Sequence, residues 1–257
     1  MSSKENKKWF SPSFLKTFKL CPYRAMYEPF TESPYLQFGN LVHDLLAEFA
    51  TGRIPDVDRQ DLKDKFLPKV VEEMKSMKFS EKFQKIMNNF GVNKNFTFDN
   101  YEIFDVESEN CPEEYSQTLH NSRMLKVPMF WDGKGMRGKI DIILNTPTHY
   151  RIIDYKTGST EYDEFQILCY AVMVCFTYNL DPTKVKIDGE FWYLEKGKKT
   201  VFPITVPKLV DFYDELCFLK NSYETKIYMK KPSWDTCRMC HCDCQEGQRM
   251  QTFKNRK

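Results

Sequence analysis

Two aspartates and a lysine stand where strand alternation brings acid and base together. Asp154 and Lys156 are two apart in the β-branched run Tyr150 to Lys156, so their side chains leave the same face of a strand. The run Arg137 to Leu144 precedes it, and the intervening Asn145-Thr146-Pro147-Thr148-His149 predicts an antiparallel hairpin. With the turn centred on Pro147 and Thr148, Asp141 falls opposite Asp154 or one place off, about 5 Å away. Two carboxylates that close, among Ile140, Ile142, Ile143, Ile152 and Ile153, repel unless a cation lies between them. Magnesium or manganese answers that need, because hard divalent ions take oxygen ligands.

Three further polar side chains stand out, each open to a packing role or to a place in the same cleft. Phe38, Leu41, Val42, Leu45, Leu46 and Phe49 follow helical spacing, predicting a helix over Gly39 to Ala50 with His43 half-buried at the edge of its apolar stripe. A second helix, from about Asp163 to Tyr178, is apolar nearly all round (Phe165, Ile167, Leu168, Ala171, Val172, Val174, Phe176), which makes Gln166 and Tyr170 conspicuous. They are four apart on one face, and polar groups in a buried helix need partners or a wet cleft.

The 9 cysteines form another pattern, since Cys237, Cys240, Cys242 and Cys244 fall together near the end of the chain. An odd count argues against a disulfide framework and for metal or chance thiols. Cys111, Cys169, Cys175 and Cys217 read as small core or surface residues. The amino terminus carries Lys4, Lys7 and Lys8 without an apolar stretch after them, so the expectation is an intracellular, cytoplasmic protein, nucleoid-associated in a bacterial or viral setting and not secreted. Apolar runs are too short for a bilayer. A net charge of +2 leaves the partner open, because a phosphate-binding groove needs only local positive charge.

The elements that must hold these groups can be read in order. Ser11-Pro12 starts a helix that ends near Cys21-Pro22. Residues 58–90 predict one or two amphipathic helices. Strands are expected at Tyr101 to Glu107 and Met124 to Trp131, with an irregular excursion around Cys111 to Arg123. Lys186 to Glu195 and Thr200 to Val206 form a hairpin around Lys196-Gly197-Lys198, and Leu209 to Tyr228 a long helix. The expected architecture is α/β, a central mixed sheet flanked by helices. One domain spans 1–245, with a helical lobe over 38–95, a sheet core over 96–206 and a C-terminal helix with the cysteines over 207–245; a polar tail occupies 246–257.

Five pieces taken together resemble the RecB-like branch of the PD-(D/E)XK nuclease superfamily, the CRISPR-associated and AddB-type exonucleases. They are Ser11-x-Ser13 through Cys21-Pro22-Tyr23, Phe38-Gly39-Asn40-Leu41-Val42-His43, Gly138-Lys139-Ile140-Asp141, Asp154-Tyr155-Lys156-Thr157-Gly158 and Gln166-x-x-x-Tyr170. The resemblance implies a restriction-endonuclease-like sheet and a Mg2+- or Mn2+-dependent deoxyribonuclease, an exonuclease acting on single-stranded DNA or DNA ends in replication, recombination or repair. His43, Asp141, Asp154 and the carbonyl of Tyr155 would then ligate the ion, Lys156 would orient or deprotonate the attacking water, and Gln166 and Tyr170 would touch DNA or brace the site. Glu102 or Glu107 is a further candidate acid. Aromatics such as Tyr155, Tyr23 and Trp192 are candidates for stacking on bases. The resemblance also implies a [4Fe–4S] cluster on Cys21, Cys237, Cys240 and Cys244 joining the two chain ends, although the family's last cysteine lies further on and position 246 is Glu. Zinc, with His241, is the alternative. A helicase or other recombination or replication protein is the implied partner, and no membrane is. The rival readings are a non-catalytic DNA-binding accessory subunit of a helicase–nuclease complex and a zinc-dependent interaction protein.

Overall fold

Ser11 caps a helix where its pairing with Pro12 asks for one. In a computed structural model, which describes residues 9–29, 31–50, 61–92, 96, 102–103, 116–119, 122–131, 134–158, 164–237, 240–242 and 244–245, helix α1 runs Pro12–Leu20 and the Ser11 hydroxyl accepts from the Phe14 N–H at 3.1 Å. The predicted polar tail, Gly52, Cys111, Glu107 and Asp163 lie outside the described residues. The chain divides into two compact units, Met1–Thr31 with Val127–Arg137 and Val210–Lys257, and Glu32–Lys126 with Gly138–Leu209.

In the first unit, strand β1 (Trp9–Phe10) pairs in parallel with the start of β5 (Lys134–Ile140), Trp9 opposite Gly135. Helix α2 (Pro22–Tyr27) follows α1. The Phe10 ring meets Tyr223 edge-on at 4.8 Å, and Phe18 packs on Tyr223 and Tyr228. These rings build an aromatic core around the C-terminal part of the chain.

The second unit holds the predicted helical lobe as α3 (Pro34–Ala50), α4 (Leu62–Met74) and α5 (Met77–Val92). Helix α3 starts earlier than its apolar stripe suggests, because Ser33 and Pro34 repeat the cap-then-proline start and the Ser33 hydroxyl accepts from the Leu36 N–H at 3.2 Å. Beyond the lobe come β2 (Glu102–Ile103), β6 (Ile142–Thr146), β7 (His149–Lys156), α6 (Phe165–Thr177), β8 (Lys186–Tyr193) and β9 (Lys198–Pro203). The five strands form a mixed sheet in the order β2-β6-β7-β8-β9, with β7 and β8 parallel. Gly197, at φ 61, makes the β8–β9 turn. Val206 already belongs to α7 (Val206–Glu224), the long helix expected after the hairpin.

Two local readings need correction. The expected irregular excursion contains a strand, β3 (Ser116–Leu119), paired antiparallel with β4 (Ser122–Trp131), Ser116 opposite Leu125. The expected strand from Arg137 to Leu144 is broken at Asp141, with β5 before it and β6 after it; β5 belongs to a second sheet, ordered β1-β5-β4-β3. No helix among the described residues is long and apolar enough to cross a membrane.

Helix α6 lies against β8 at a position that admits no side chain. A Cβ placed on Gly189 would stand 1.9 Å from Ile167 Cγ2. Gly189→Ala must therefore push α6 away, and about 1–3 kcal/mol or more of stability should be lost. Urea denaturation measures this; an unchanged midpoint would mean the helix is not seated as described.

Candidate active site

Strand β7 is buried along nearly its whole length, so alternation assigns its two faces to different neighbours. Ile153 and Tyr155 look to the helical lobe, where Tyr155 is fully buried beside Phe90 at 6.2 Å and Trp192 at 5.8 Å. Asp154 and Lys156 share the opposite face, over which α6 brings Gln166. The hairpin turn falls on Pro147 and Thr148 with Ile142 opposite Ile153, a register that carried one step further sets Asp141 against Asp154.

Asp141 occupies the break between β5 and β6 rather than the ladder. Its Oδ2 accepts from the Tyr155 N–H at 2.7 Å, and its Oδ1 lies 2.8 Å from His43 Nδ1. The carboxylate thus stitches the end of β7 to α3. With Nδ1 turned to Asp141, Nε2 is the His43 nitrogen left to offer a lone pair. Burial, the largest influence, pulls the His43 pKa down, but Asp141 and then Asp154 outweigh it and the net direction is up.

Gln166 closes the other side. Its Nε2 donates to Asp154 Oδ1 at 2.9 Å and lies 2.7 Å from the Tyr170 hydroxyl, while its Oε1 accepts from Lys156 Nζ at 2.8 Å. The amide orientation is fixed by chemistry, because an ammonium can only donate and a carboxylate only accept. Lys156 Nζ also stands 4.8 Å over the Phe191 ring. Phe191 was not singled out in the sequence; it lies opposite Asp154 in the β7–β8 register and could have been found only with that pairing known.

Asp154 is 3% exposed. Its Oδ2 forms a buried ion pair with Lys156 Nζ at 2.5 Å and has no other polar partner among the described residues. Burial pushes its carboxyl pKa up to about 6, with Lys156 opposing and Asp141 reinforcing the rise. Burial likewise lifts the Tyr170 hydroxyl well above its ordinary value, helped by the Asp154 charge.

Two glycines of the sequence motifs act by absence. A Cβ on Gly138 would sit 2.9 Å from Tyr170 Cε1, and one on Gly39 would sit 3.3 Å from Thr157 Oγ1. Gly138 therefore lets Tyr170 reach Gln166, and Gly39 lets α3 approach the end of β7. Gly138→Ala should lower turnover about tenfold by displacing Tyr170 and Gln166, with steady-state kinetics as the measure. Undiminished kcat would separate Tyr170 from the site.

The donor set tests what this site can hold. Imidazole nitrogen and carboxylate oxygens suit Mg2+ or Mn2+, and Asp154 Oδ2, buried and met only by the Lys156 ammonium, is an atom such an ion would engage. Among the described residues no three metal-competent side chains are gathered as a ready cluster, so an ion must draw its ligands from their present hydrogen bonds. The same holds for the cysteines: no iron–sulfur or zinc site is shown. Cys21, Cys237, Cys240 and Cys244 are buried, Cys242 is half-buried, and Cys169 lies in the core around α6. Arg24 donates to the Thr236 carbonyl at 3.0 Å and the His241 N–H donates to Glu28 at 3.1 Å, which brings the α2 segment and the cysteine segment together.

The proposed stacking role of Tyr155 and Trp192 is corrected here, since both are 0% exposed and part of the lobe's core. Tyr23 is half-buried beside Tyr27, with Lys230 Nζ over its ring. Glu102 lies in β2, paired with Asn145.

A mixed sheet thus presents paired acids and a lysine beside a histidine-bearing helix. The family profile agrees: residues 9–245 match the PD-(D/E)XK nuclease superfamily, and the chain belongs to it. Among curated relatives, the "Gene 69 protein" of Mycobacterium phage D29 is 27% identical over 114 residues, covering 42% of this chain and 41% of that one. The "Gene 69 protein" of Mycobacterium phage L5 is 37% identical over 70 residues, covering 27% of this chain and 22% of that one. The chain thus spans less than half the length of these relatives. Among solved structures, a candidate exonuclease from Eubacterium rectale superposes with a TM-score of 0.48 at 13% identity, covering 94% of this chain and 91% of that one.

Proposed function

We propose that this nuclease is a RecB-like, Mg2+- or Mn2+-dependent deoxyribonuclease, an exonuclease acting on single-stranded DNA or DNA ends in replication, recombination or repair. The observation that carries this reading is Asp154, buried between Asp141 and Lys156 with one oxygen met only by the Lys156 ammonium. His43, Asp141, Asp154 and the Tyr155 carbonyl would hold the ion. When bound, it supplies a water of lowered pKa and stabilises charge developing on the phosphate. Lys156 would orient the attacking water or take its proton. Gln166 keeps Lys156 and Asp154 aimed at the same point, and Tyr170 fixes Gln166. End-labelled single- and double-stranded DNA, with and without blocked ends, tests the proposal. Divalent-dependent loss of unblocked single strands is expected; DNA left intact under all conditions would overturn it.

The raised Asp154 carboxyl gives a pH signature. Its folded value of about 6 lies above the ordinary 3.8, so in metal-free protein its contribution favours the folded state fully below the ordinary value and is lost as pH rises through about 6. A divalent ion needs the ionised form. The rise in thermal midpoint on adding Mn2+ should be small near pH 5 and grow towards pH 7, as thermal scans will show. A Mn2+ shift that does not vary with pH would place the ion elsewhere.

The cysteine segment extends the proposal. Cys21, Cys237, Cys240 and Cys244 are read as the thiolate ligands of a [4Fe–4S] cluster, closing a loop of about two hundred residues. The burial of all four and the Arg24 and Glu28 contacts support this. Protein purified without air should be brown with absorbance near 400 nm, of the order expected for thiolate-bound iron, and Cys21→Ser should lose the iron. Zinc found in its place, with no colour, would replace the cluster by a zinc site. A helicase or another recombination protein is the proposed partner.

A further inference from the structure

With Tyr155 and Trp192 withdrawn into the core, the rings that would meet bases must be found elsewhere. Helix α3 supplies one. Tyr35, Gly39 and His43 are successive fourth residues and line one stripe of the helix. Gly39 lies against Thr157, the residue after Lys156 in the chain, so this stripe runs out from the catalytic group past the end of β7. Tyr35 sits about 12 Å from His43 along the axis, a few nucleotides away.

Tyr35 is 54% exposed, and the neighbouring Leu36 is 41% exposed. Beneath them, Tyr35 stands edge-on to Phe79 at 5.4 Å, and Phe79 stacks on the buried Phe38 at 5.1 Å. The exposed ring is therefore braced rather than loose. Lys78 Nζ lies 4.9 Å from the Tyr35 centroid and donates to its hydroxyl, and Lys82 Nζ lies 6.0 Å from the same centroid. Lys82 also meets Glu195 at 3.2 Å, whereas Lys78 meets the tyrosine. An exposed ring on a rigid base, flanked by ammonium groups, is the pairing that single strands use: bases stack on the ring and phosphates meet the lysines.

We propose that Tyr35 and Leu36, with Lys78 and Lys82, form a subsite for single-stranded nucleic acid, outside the catalytic group and continuous with it along α3. The inference rests on the nuclease reading above. It adds that selection for single strands is built into α3 and α5, because bases paired in a duplex cannot present their faces to Tyr35.

Equilibrium anisotropy with labelled oligothymidylate and oligouridylate of about 15 nucleotides, and with a blunt hairpin duplex, tests this in EDTA, where nothing is cleaved. Tyr35→Ala should weaken the tighter-binding single strand about 5- to 20-fold and the duplex less than about twofold, while Tyr35→Phe, which keeps the ring, should stay within about twofold of the parent. Lys78→Ala should lower the slope of log affinity against log salt by about 0.7. Which oligonucleotide binds more tightly names the sugar that the subsite accepts. Thermal midpoints equal to the parent's show that the variants fold. If the parent binds the oligonucleotides and Tyr35→Ala binds them equally well, the subsite is refuted and the nuclease reading stands. If the parent binds and cleaves no nucleic acid, both fall.

Discussion

Asp154→Asn should reduce divalent-dependent DNA hydrolysis about a thousandfold, the effect of withdrawing several kcal/mol of metal-supplied stabilisation from the transition state. The same substitution should shift the metal-free midpoint only modestly, because relief of the buried charge is set against the Lys156 ammonium's loss of its partner. Burial makes the charged form of Asp154 costly, as its carboxyl at about 6 records, and one of its oxygens meets only the Lys156 ammonium. Asparagine keeps the shape, removes the charge and can still accept from Gln166 through its oxygen. Thermal scans with and without Mn2+ give the second half of the result: the parent's midpoint rises with the ion and the variant's does not. A variant that loses turnover through a collapsed metal-free midpoint would make Asp154 a structural residue. Lys156→Ala should cost about 10²- to 10⁴-fold in kcat and, unlike Asp154→Asn, should leave the Mn2+ shift in place.

The hairpin that carries this site was legible because every cue for it is local. Proline and threonine mark the turn, alternation sets the faces, and the register then follows from counting. Ser11 shows the same economy, announcing a helix with the proline after it, whereas the like start at Ser33 and Pro34 was missed because the apolar stripe of α3 begins later. What the sequence withheld depends on partners distant in the chain. Ile140 and Ile142 read as one strand, and only the bond from Tyr155 to Asp141 shows why the chain bends between them. Tyr155 looked like a ring for substrate until the lobe's Phe90 and Phe96 closed over it and Trp192. Tyr35 stood before the apolar stripe of α3 and drew no notice, since exposure and the proximity of Lys78 are tertiary facts. The cysteines lie between these cases: spacing reveals their density, while no periodicity tells whether Cys242 or Cys244 would be the fourth ligand of the proposed cluster.

Glu190→Gln should show the opposite pattern to Asp154→Asn. Both parent carboxylates are 3% exposed, and burial acts on each in the same direction. Glu190 is answered on both oxygens, by Arg151 Nε at 2.7 Å on one, and by Arg151 Nη2 at 3.1 Å and Trp192 Nε1 at 2.7 Å on the other. Those bonds outweigh burial and hold its pKa below the ordinary 4.5. The pair's contribution is therefore present above that value and lost as pH falls through the lower folded one. Removing the charge leaves the Arg151 guanidinium buried without its counter-ion, at a cost of about 3–5 kcal/mol, which urea denaturation at neutral pH will measure. Arg151 and Glu190 face the lobe, on the side of the sheet away from Lys156, so turnover per folded molecule should fall less than about tenfold. A loss of activity as deep as that of Asp154→Asn would mean that Trp192, held by Glu190 and packed on Tyr155, sets the position of Asp141 through the Tyr155 N–H. In one strand pair, then, the carboxylate hydrogen-bonded on both oxygens is expected to serve the fold, and the one whose second oxygen meets only the Lys156 ammonium is expected to serve the chemistry.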